Sequence, residues 1–316
     1  MNDIKIIFFG TPEFAIPPLE ALVRGKYEIV AVVTRPDEPV GRKQVITPPP
    51  IKVWADKHHI PVFQPLKLEI GNGKLEIPDA DLFVVAAFGK IIPRDILELP
   101  RLGALNIHPS LLPRWRGPSP IQQTIMAGDT KTGVTIIKID EFMDHGPILA
   151  QRVWPLKNSK ITLQELTNEL WVLGADLLIE ILAGWIRGEM VPIPQDDAKA
   201  TFSKLLKKDS GRIDWKKSAE EIERMTRALN PWPGTWTVWP SSTKIFRVRI
   251  ETAEVVDDEP AMGSYGHVWS TSKNPLLVKT SKGSLVINTL TIEGRNSLTA
   301  AEVARGYPDL IGATFV

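Results

Sequence analysis

The first half of the chain alternates short apolar runs with segments of helical pattern, and no other feature restricts the fold as strongly. Strands are predicted at residues 4–9, 28–34, 62–63, 81–87, 103–107, 134–139 and 148–154, and helices at 11–25, 51–58 and 119–127. Continuously apolar strands are typical of a sheet buried on both faces, and helical crossovers join parallel strands. The pattern therefore predicts an α/β fold with a doubly wound, mostly parallel sheet.

The second half of the chain has a different pattern of elements. A capping box at Thr162 and Glu165 begins a long helical stretch that ends near Gly188, after which prolines and acidic residues interrupt the periodicity. Short strands are then predicted at 235–239, 244–256, 265–270, 276–280 and 285–293, a series that favours a small β-barrel. We expect one domain over residues 1–188, a linker over 189–208 and a second domain over 209–316.

Composition excludes several classes of function. The chain has 316 residues, a net charge of +1, no Cys and five His. The missing Cys excludes disulfides, thiolate catalysis and cysteine-ligated metal sites, and so few His make a His-rich metal site unexpected. No apolar run reaches the roughly 18 residues of a membrane span, and the apolar stretch at the N-terminus is too short for a secretory signal. We therefore expect a soluble, cytoplasmic protein without a metal.

The turn after the first predicted strand argues against a dinucleotide cofactor. This turn reads Gly10-Thr-Pro-Glu-Phe14. A dinucleotide site needs several glycines here, so that backbone amides can approach the pyrophosphate. The proline lacks an amide hydrogen and the glutamate would repel phosphate. Binding of NAD or FAD is therefore not expected, despite the doubly wound pattern.

Polar side chains concentrate where the strand at 103–107 ends. Asn106 and His108 are two residues apart, so they point to the same face, at the sheet edge where doubly wound folds bind ligands. An amide can stabilise a developing oxyanion, and histidine carries protons near neutral pH. Asp144 also follows a strand and could orient His108 or share its protons. The alternative is that Asn106 and His108 only satisfy backbone groups of the loop.

The residues from Asn106 to Gly117 form the motif N-x-H-x-S-L-L-P-x-x-x-G, and an Asp-x-Gly-Pro segment follows at Asp144. This combination resembles the family of enzymes that use 10-formyltetrahydrofolate as formyl donor. The resemblance extends over nearly the whole chain. The segment 9–14, the loop 34–51 and the second domain narrow it to the branch that formylates methionyl initiator tRNA.

The resemblance implies a reaction, a fold and a catalytic set. The formyl group would pass from 10-formyltetrahydrofolate, a co-substrate, to the α-amine of methionyl initiator tRNA. A Rossmann-like catalytic domain would precede an OB-like barrel that binds tRNA. Asn106, His108 and Asp144 fall on the family's catalytic positions. Asn106 would stabilise the tetrahedral oxyanion. His108 would handle protons or support that charge, and Asp144 would tune His108 or act as base.

The resemblance also implies two binding regions. The folate region would comprise Val85, Phe88, Gly89, Ile91, Ile92, Ser110, Leu111, Leu112, Pro113 and Asp140. In the long loop at 35–50, the tRNA contacts would be Arg35, Arg42 and Lys43. From residue 201 onward the chain carries 16 Lys and Arg against 13 Asp and Glu, about +3. Phosphate contact is therefore also expected along a basic surface that includes Lys204, Lys207, Arg247 and Arg249, although these residues could equally be solvated.

Two other functions remain open from the sequence. One is another 10-formyltetrahydrofolate-using enzyme, either a hydrolase or a formyltransferase that acts on a small amine. The loop 34–51 and the second domain argue against it, because a small substrate needs neither. The other is an RNA-binding barrel with an inactive α/β partner, against which the intact Asn106, His108 and Asp144 argue. His145 stands where the family commonly has a small residue, and we expect it to face solvent. Nothing in the sequence requires more than a monomer.

Overall fold

The computed structural model describes residues 4–41, 43–69, 76–241, 244–257 and 263–316. The chain divides into two compact units, the first formed by residues 1–120, 130–156 and 164–204 and the second by 121–129, 157–163 and 205–316. Most of the range 189–208, assigned to a linker by the sequence pattern, thus belongs to the first unit. In this described part of the chain, no helix is long and apolar enough to span a membrane.

A mixed sheet forms the centre of the first unit. The strands in this half of the chain are β1 (Lys5–Gly10), β2 (Glu28–Val33), β3 (Glu38–Val40), β4 (Val45–Thr47), β5 (Val62–Phe63), β6 (Leu82–Ala86), β7 (Ala104–His108), β8 (Lys131–Lys138) and β9 (Ile148–Pro155). Among the described residues, seven of them pair in the order β5-β2-β1-β6-β7-β8-β9. Pairing is parallel from β5 to β7 and antiparallel for β7–β8 and β8–β9.

This order confirms the doubly wound, mostly parallel sheet. The chain runs from β1 outward to β2 and β5, and then crosses to β6 on the other side of β1. Every residue of β6 is buried, which agrees with its continuously apolar sequence. The reversal of strand order opens a crevice at the carboxyl ends of β1 and β6, where such folds bind ligands.

Helices connect the strands in the first half of the chain, and one short hairpin was not predicted. The helices are α1 (Ile16–Arg24), α2 (Pro50–Lys57), α3 (Arg94–Leu97), α4 (Pro120–Ala127) and α5 (Leu163–Ile186), of which α4 belongs to the second unit from residue 121 on. Strands β3 and β4 pair with each other inside the long loop 35–50. Both strands are exposed and only three residues long, so no burial pattern marks them in the sequence.

The second unit contains an antiparallel sheet and two helices that lie against it. Besides α4, its elements are α6 (Ala219–Leu229), β10 (Thr235–Pro240), β11 (Ile245–Val256), β12 (Val268–Trp269), β13 (Leu277–Lys279), β14 (Ser284–Ile292), β15 (Ser297–Thr299) and α7 (Ala300–Gly306). The strand order is β10-β11-β14-β13-β12, and β15 pairs with β14. Capping boxes of Ser218 with Glu221 and of Thr299 with Glu302 begin α6 and α7, as the spacing Ser/Thr-x-x-Glu in the sequence predicts.

The end of the chain joins the two outer strands of this sheet. Val238 of β10 and Val316 exchange two backbone hydrogen bonds of 3.0 and 2.9 Å. Val268 of β12 donates to Ala313 at 2.9 Å and accepts from Gly312 at 2.8 Å. Residues 312–316 therefore close the sheet into a barrel, as the series of short strands predicts. Its interior is apolar and includes Trp239, which is 1 % exposed.

Candidate active site

Asn106 and His108 lie in β7, with neighbouring strands on both sides. Asn106 is opposite Val85 of β6 and Ile137 of β8. His108 is the last residue of β7 and is almost completely buried. Because residues two apart on a strand share a face, both polar side chains lie at the carboxyl end of the parallel strands.

The Asp144 carboxylate receives contacts from both predicted partners. The Asn106 Nδ2 atom donates to Asp144 Oδ1 at 3.3 Å, and His108 Nδ1 is 3.5 Å from the same oxygen. The second carboxylate oxygen accepts a 2.8 Å hydrogen bond from the backbone amide of Gly117. The structure thus brings together three groups that are separated by up to 38 residues in the chain. The proposed Asn–His–Asp set exists as one cluster.

Both ring nitrogens of His108 face oxygen atoms. Nε2 is 3.0 Å from the Trp115 carbonyl oxygen, and Nδ1 faces the Asp144 carboxylate. A carbonyl only accepts a hydrogen bond, so the Nε2 atom must carry a proton to make this contact. The other ring nitrogen, Nδ1, is thereby turned towards the Asp144 carboxylate.

The backbone around this cluster adopts left-handed conformations at residues other than glycine. The φ angles are +50° at Ala87, +61° at Trp115 and +52° at Asp144. These angles are uncommon for residues with a side chain, and where they cluster they often mark a functional site. Two of these residues contribute groups to the cluster. Trp115 provides the carbonyl that faces His108, and Asp144 provides the carboxylate.

Asp144 is ionised at neutral pH. Burial by itself raises the pKa of the Asp144 carboxyl, but the opposing effects are larger in sum. The nearby His108 ring, the hydrogen bond from the Gly117 amide and the charge of Arg116 hold the pKa below its usual range. The site therefore contains a partly buried, ionised carboxylate in contact with Asn106, His108 and Gly117.

The expectation that His145 merely faces solvent is wrong. His145 Nδ1 lies 2.6 Å from Asp140 Oδ2, and Nε2 lies 3.6 Å from Asp197 Oδ2. The hydrogen bond to Asp140 is the main reason that the pKa of His145 is raised, and the charge of Asp197 adds to it. Burial and the Arg116 guanidinium act in the opposite direction but are weaker. The imidazolium joins two loops of the first unit.

We expect His145→Asn to lower the melting temperature in a pH-dependent way. A raised pKa in the folded state means that protonated His145 stabilises the fold below its unfolded pKa of about 6.5. This stabilisation is lost as the pH rises through the folded pKa. Thermal unfolding of wild type and variant should therefore differ most at about pH 6 and little at about pH 9. The exposed His59, substituted by Asn, serves as control. An equal difference at both pH values would contradict the assigned ion pairs.

The structure divides the predicted folate residues into buried and accessible groups. Val85, Phe88 and Ile92 are buried members of an apolar core cluster, so their side chains pack inside the unit. Ser110 is also buried, and its hydroxyl donates to the Arg114 carbonyl at 2.6 Å. Leu112 is buried as well. The accessible members are Gly89, Ile91, Leu111, Pro113 and Asp140, of which Ile91 is 75 % exposed.

A cavity of about 430 Å³ lies beside Asp140. Its apolar lining includes Leu97, Ala104 and Ile139, and its acidic lining consists of Glu98, Asp140 and Glu141. Arg94, Arg101 and Lys138 supply positive charge at the same cavity. Of these lining residues, only Asp140 belongs to the folate region expected from the sequence, because apolar positions at strand and helix ends carry no motif.

The predicted tRNA contacts occupy separate places in the fold. Arg35 forms an ion pair with Glu38 at 3.1 Å, and Lys43 is exposed in the turn between β3 and β4. Arg42 lies outside the described residues. Lys204 belongs to the first unit and Lys207 to the second.

Arg247 and Arg249 share the outward face of β11, as their spacing predicts. The alternate residues Val248 and Ile250 are buried on the opposite face. Arg247 Cζ lies 3.8 Å from the centre of the Trp236 ring, and Arg212 Cζ lies 5.8 Å from it. Arg249 donates to Asn230 Oδ1 at 2.9 Å.

Within the described ranges, no three or more His, Asp or Glu side chains lie together in an arrangement that could hold a metal ion.

Comparison with known proteins identifies both halves of the chain. The sequence profile of the formyl transferase family matches residues 4–182, and that of the formyl transferase C-terminal domain matches residues 205–308. The methionyl-tRNA formyltransferase of Roseiflexus sp. (strain RS-1) is 45 % identical over 306 residues, which cover 96 % of this chain and 92 % of that protein. The methionyl-tRNA formyltransferase of Chloroflexus aurantiacus is 49 % identical over 254 residues, covering 79 % and 82 %.

Solved structures show the same fold at low sequence identity. The methionyl-tRNA formyltransferase from Clostridium thermocellum superposes with a TM-score of 0.53 at 18 % identity, covering 81 % of this chain and 95 % of that one. HypX from Aquifex aeolicus, solved with tetrahydrofolic acid, has a TM-score of 0.61 at 19 % identity and covers 96 % and 47 %. The extent of the profile match and the identity to relatives over most of their length show that this chain belongs to the formyl transferase family.

Proposed function

We propose that this protein transfers a formyl group from 10-formyltetrahydrofolate to the α-amine of methionyl initiator tRNA, giving N-formylmethionyl-tRNA for translation initiation. The observation that carries the proposal is the contact of the Asp144 carboxylate with both Asn106 and His108 at the carboxyl end of β7. Over nearly its whole length the chain is similar to a methionyl-tRNA formyltransferase, and this similarity supports the choice of substrates. A cytoplasmic location follows from such a substrate.

Asn106 is suited to stabilise charge on the formyl oxygen. When the amine attacks the formyl carbon, the carbonyl oxygen becomes negatively charged. The amide nitrogen of Asn106 has two hydrogens, and Asp144 accepts one of them. The other can be donated to the oxyanion. Because the Asn106 amide is held against Asp144 before the reaction, little reorganisation is needed to stabilise this charge.

Asp144 is suited to accept the proton that the amine loses. The new bond joins the amine nitrogen to the formyl carbon, and the bond from that carbon to the folate nitrogen breaks. An α-amine titrates near about 8, so a modest base is sufficient. The Asp144 carboxylate is ionised and lies against the Asn106 amide that would bind the formyl oxygen, so we propose it as the proton acceptor. The proton taken up by Asp144 then passes to the departing folate nitrogen, so that the step balances, and His108 supports the negative charge that develops.

The cavity beside Asp140 is suited to a folate. Its apolar side, which includes Leu97 and Ile139, can cover the faces of a flat heterocycle. The Asp140 and Glu141 carboxylates can accept hydrogen bonds from the N–H groups of a pteridine ring. The accessible positions Gly89, Ile91, Leu111 and Pro113 complete the folate region that we propose. The role of Arg42 in tRNA binding stays a prediction.

One assay separates the proposed function from its alternatives. The protein is incubated with 10-formyltetrahydrofolate and methionyl initiator tRNA, and both formylmethionyl-tRNA and free formate are measured. We expect formylmethionyl-tRNA. Formate without formylated tRNA would instead indicate a hydrolase. Formylation of a free amino sugar in preference to tRNA would indicate a small-amine formyltransferase, and the absence of any turnover would leave only RNA binding.

The outward face of β11 is proposed to contact tRNA phosphates. We expect Arg247→Ala to weaken tRNA binding and to reduce the slope of log Kd against log salt by about one, the effect of losing a single phosphate contact. The measurement is a binding titration with uncharged initiator tRNA over a series of KCl concentrations. Arg305→Ala on the exposed side of α7 is the matched control in the same unit. An unchanged salt slope would remove Arg247 from the interface.

A further inference from the structure

We infer that Gln195 is a positioning residue that holds the loop bearing Asp144 in the conformation in which its carboxylate meets Asn106, His108 and Gly117. The inference rests on the proposed function and adds to it. Gln195 lies in the range 189–208 that the sequence pattern assigns to a linker, and no motif in the sequence marks it.

The amide nitrogen of Gln195 joins two points of the Asp144 loop. Nε2 donates to the Asp144 carbonyl at 2.9 Å and to the Gly146 carbonyl at 2.8 Å. These carbonyls lie on either side of His145. Asp144 has a φ of +52°, a conformation that a residue with a side chain adopts only where its surroundings hold it. Gln195 supplies such support by using both hydrogens of a single amide.

Arg116 determines which way the Gln195 amide points. Arg116 Nε donates to Gln195 Oε1 at 2.9 Å. Because a guanidinium can only donate hydrogen bonds, the oxygen of Gln195 must face Arg116 and its nitrogen must face the loop. Arg116 is 4 % exposed, and its Nη2 atom is 2.7 Å from Asp197 Oδ1. The Gln195 amide is thus held on one side by Arg116, which is itself paired with Asp197, and on the other side by the carbonyls of Asp144 and Gly146.

The backbone on either side of Gln195 is tied to the same part of the first unit. Ile193 and Ile148 exchange two backbone hydrogen bonds of 2.7 and 2.8 Å at the start of β9, just after the Asp144 loop. Arg116 donates from its backbone amide to Thr201 at 2.9 Å. The segment 193–201 therefore crosses from the end of the Asp144 loop to the loop that carries Trp115 and Gly117. This places Gln195 between the two loops whose groups meet at the carboxylate.

The chemistry at the site explains why a glutamine suits this position. Glutamate has the same shape and would still pair with Arg116, but it would place a carboxylate oxygen against the carbonyls of Asp144 and Gly146. Methionine has similar length and would remove both the donors and the acceptor. In either case the two carbonyls lose their donor, and the Asp144 backbone loses its support. The carboxylate would then leave the Gly117 amide and the His108 ring, which stabilise its charged form.

The test compares wild type with Gln195→Glu and Gln195→Met. We expect kcat for formyl transfer to fall about 10- to 100-fold, as is typical when a group that orients a reactive residue is lost. The KM values for 10-formyltetrahydrofolate and for tRNA should change much less, because Gln195 is proposed to touch neither substrate. Gln164→Met, at an exposed position of α5, is the matched control. Thermal unfolding of each variant shows that it is folded at the assay temperature.

A second measurement does not require turnover. The Asp144 carboxyl carbon is followed by ¹³C NMR through a pH titration, with Asp144→Asn used to assign its signal. We expect the Asp144 titration midpoint to rise in both Gln195 variants and to stay at the wild-type value in Gln164→Met. An unchanged kcat, a change in KM alone, or an unchanged Asp144 midpoint would each overturn the inference. The proposed function itself would fail if the wild-type protein formed no formylmethionyl-tRNA, and that outcome is distinct from those of the Gln195 variants.

Discussion

Asp144→Asn is expected to lower kcat by about 10²- to 10⁴-fold, the range associated with loss of a positioned acid or base. The substitution conserves shape, and its amide oxygen can still accept the hydrogen bond from the Gly117 amide. It removes the negative charge that faces His108 Nδ1 and the site that can take up the amine proton. The rate should be measured in a single turnover with both substrates saturating, so that product release does not conceal the chemical step.

Asp176→Asn is the matched control for this prediction, because Asp176 is exposed on α5. It should leave kcat at the wild-type value. A wild-type rate for Asp144→Asn would show that the carboxylate neither accepts the proton nor supports His108. Wild-type binding of 10-formyltetrahydrofolate by the Asn variant, measured in the absence of tRNA, would show that the loss arises in the reaction and not in assembly of the complex.

Asn106→Ala is expected to lower kcat by about 10²- to 10³-fold, the usual cost of removing one oxyanion donor. The proposed hydrogen bond strengthens as charge develops on the formyl oxygen, so the effect should appear in kcat and kcat/KM to a similar extent. The measurement is the steady-state formylation rate as a function of both substrate concentrations.

The exposed Asn168 of α5, substituted by Ala, controls for the loss of an amide in this prediction. An increase in KM alone would place Asn106 in ground-state binding. The double variant Asn106→Ala with Asp144→Asn should lose less than the product of the two single effects, because groups that act as a unit are not independent. Fully multiplicative effects would contradict the assignment of both residues to one cluster.

Local patterns in the sequence predicted much of the fold. The strand at 81–87 is continuously apolar because β6 is buried on both faces, and the structure places it at 82–86. The capping residues Ser218 and Thr299 were also predictable, since a capping box acts within a single turn. The hairpin of β3 and β4 was not, because its exposed residues have no side-chain periodicity imposed by burial.

The candidate site was predicted in part. The spacing of Asn106 and His108 placed them on one face, and the motif pointed to Asp144 as their partner. The folate region could not be resolved in the same way, because buried residues such as Val85 and Phe88 and ligand-facing residues have the same apolar character. The role of Gln195 was hidden in a segment whose prolines and acidic residues are typical of a linker.

The sequence by itself determined what depends on neighbours along the chain: the doubly wound order of strands and helices, the caps of α6 and α7, and the common face of Asn106 and His108. Only the tertiary structure decided which distant groups meet at Asp144, the partners of His145, and the course of residues 189–204 along the first unit. The physical reason is the range of the interactions. Burial and capping act over a few residues and leave a periodic pattern. A hydrogen bond between Gln195 and the Asp144 loop joins residues 51 apart, and its geometry exists only after the chain has folded.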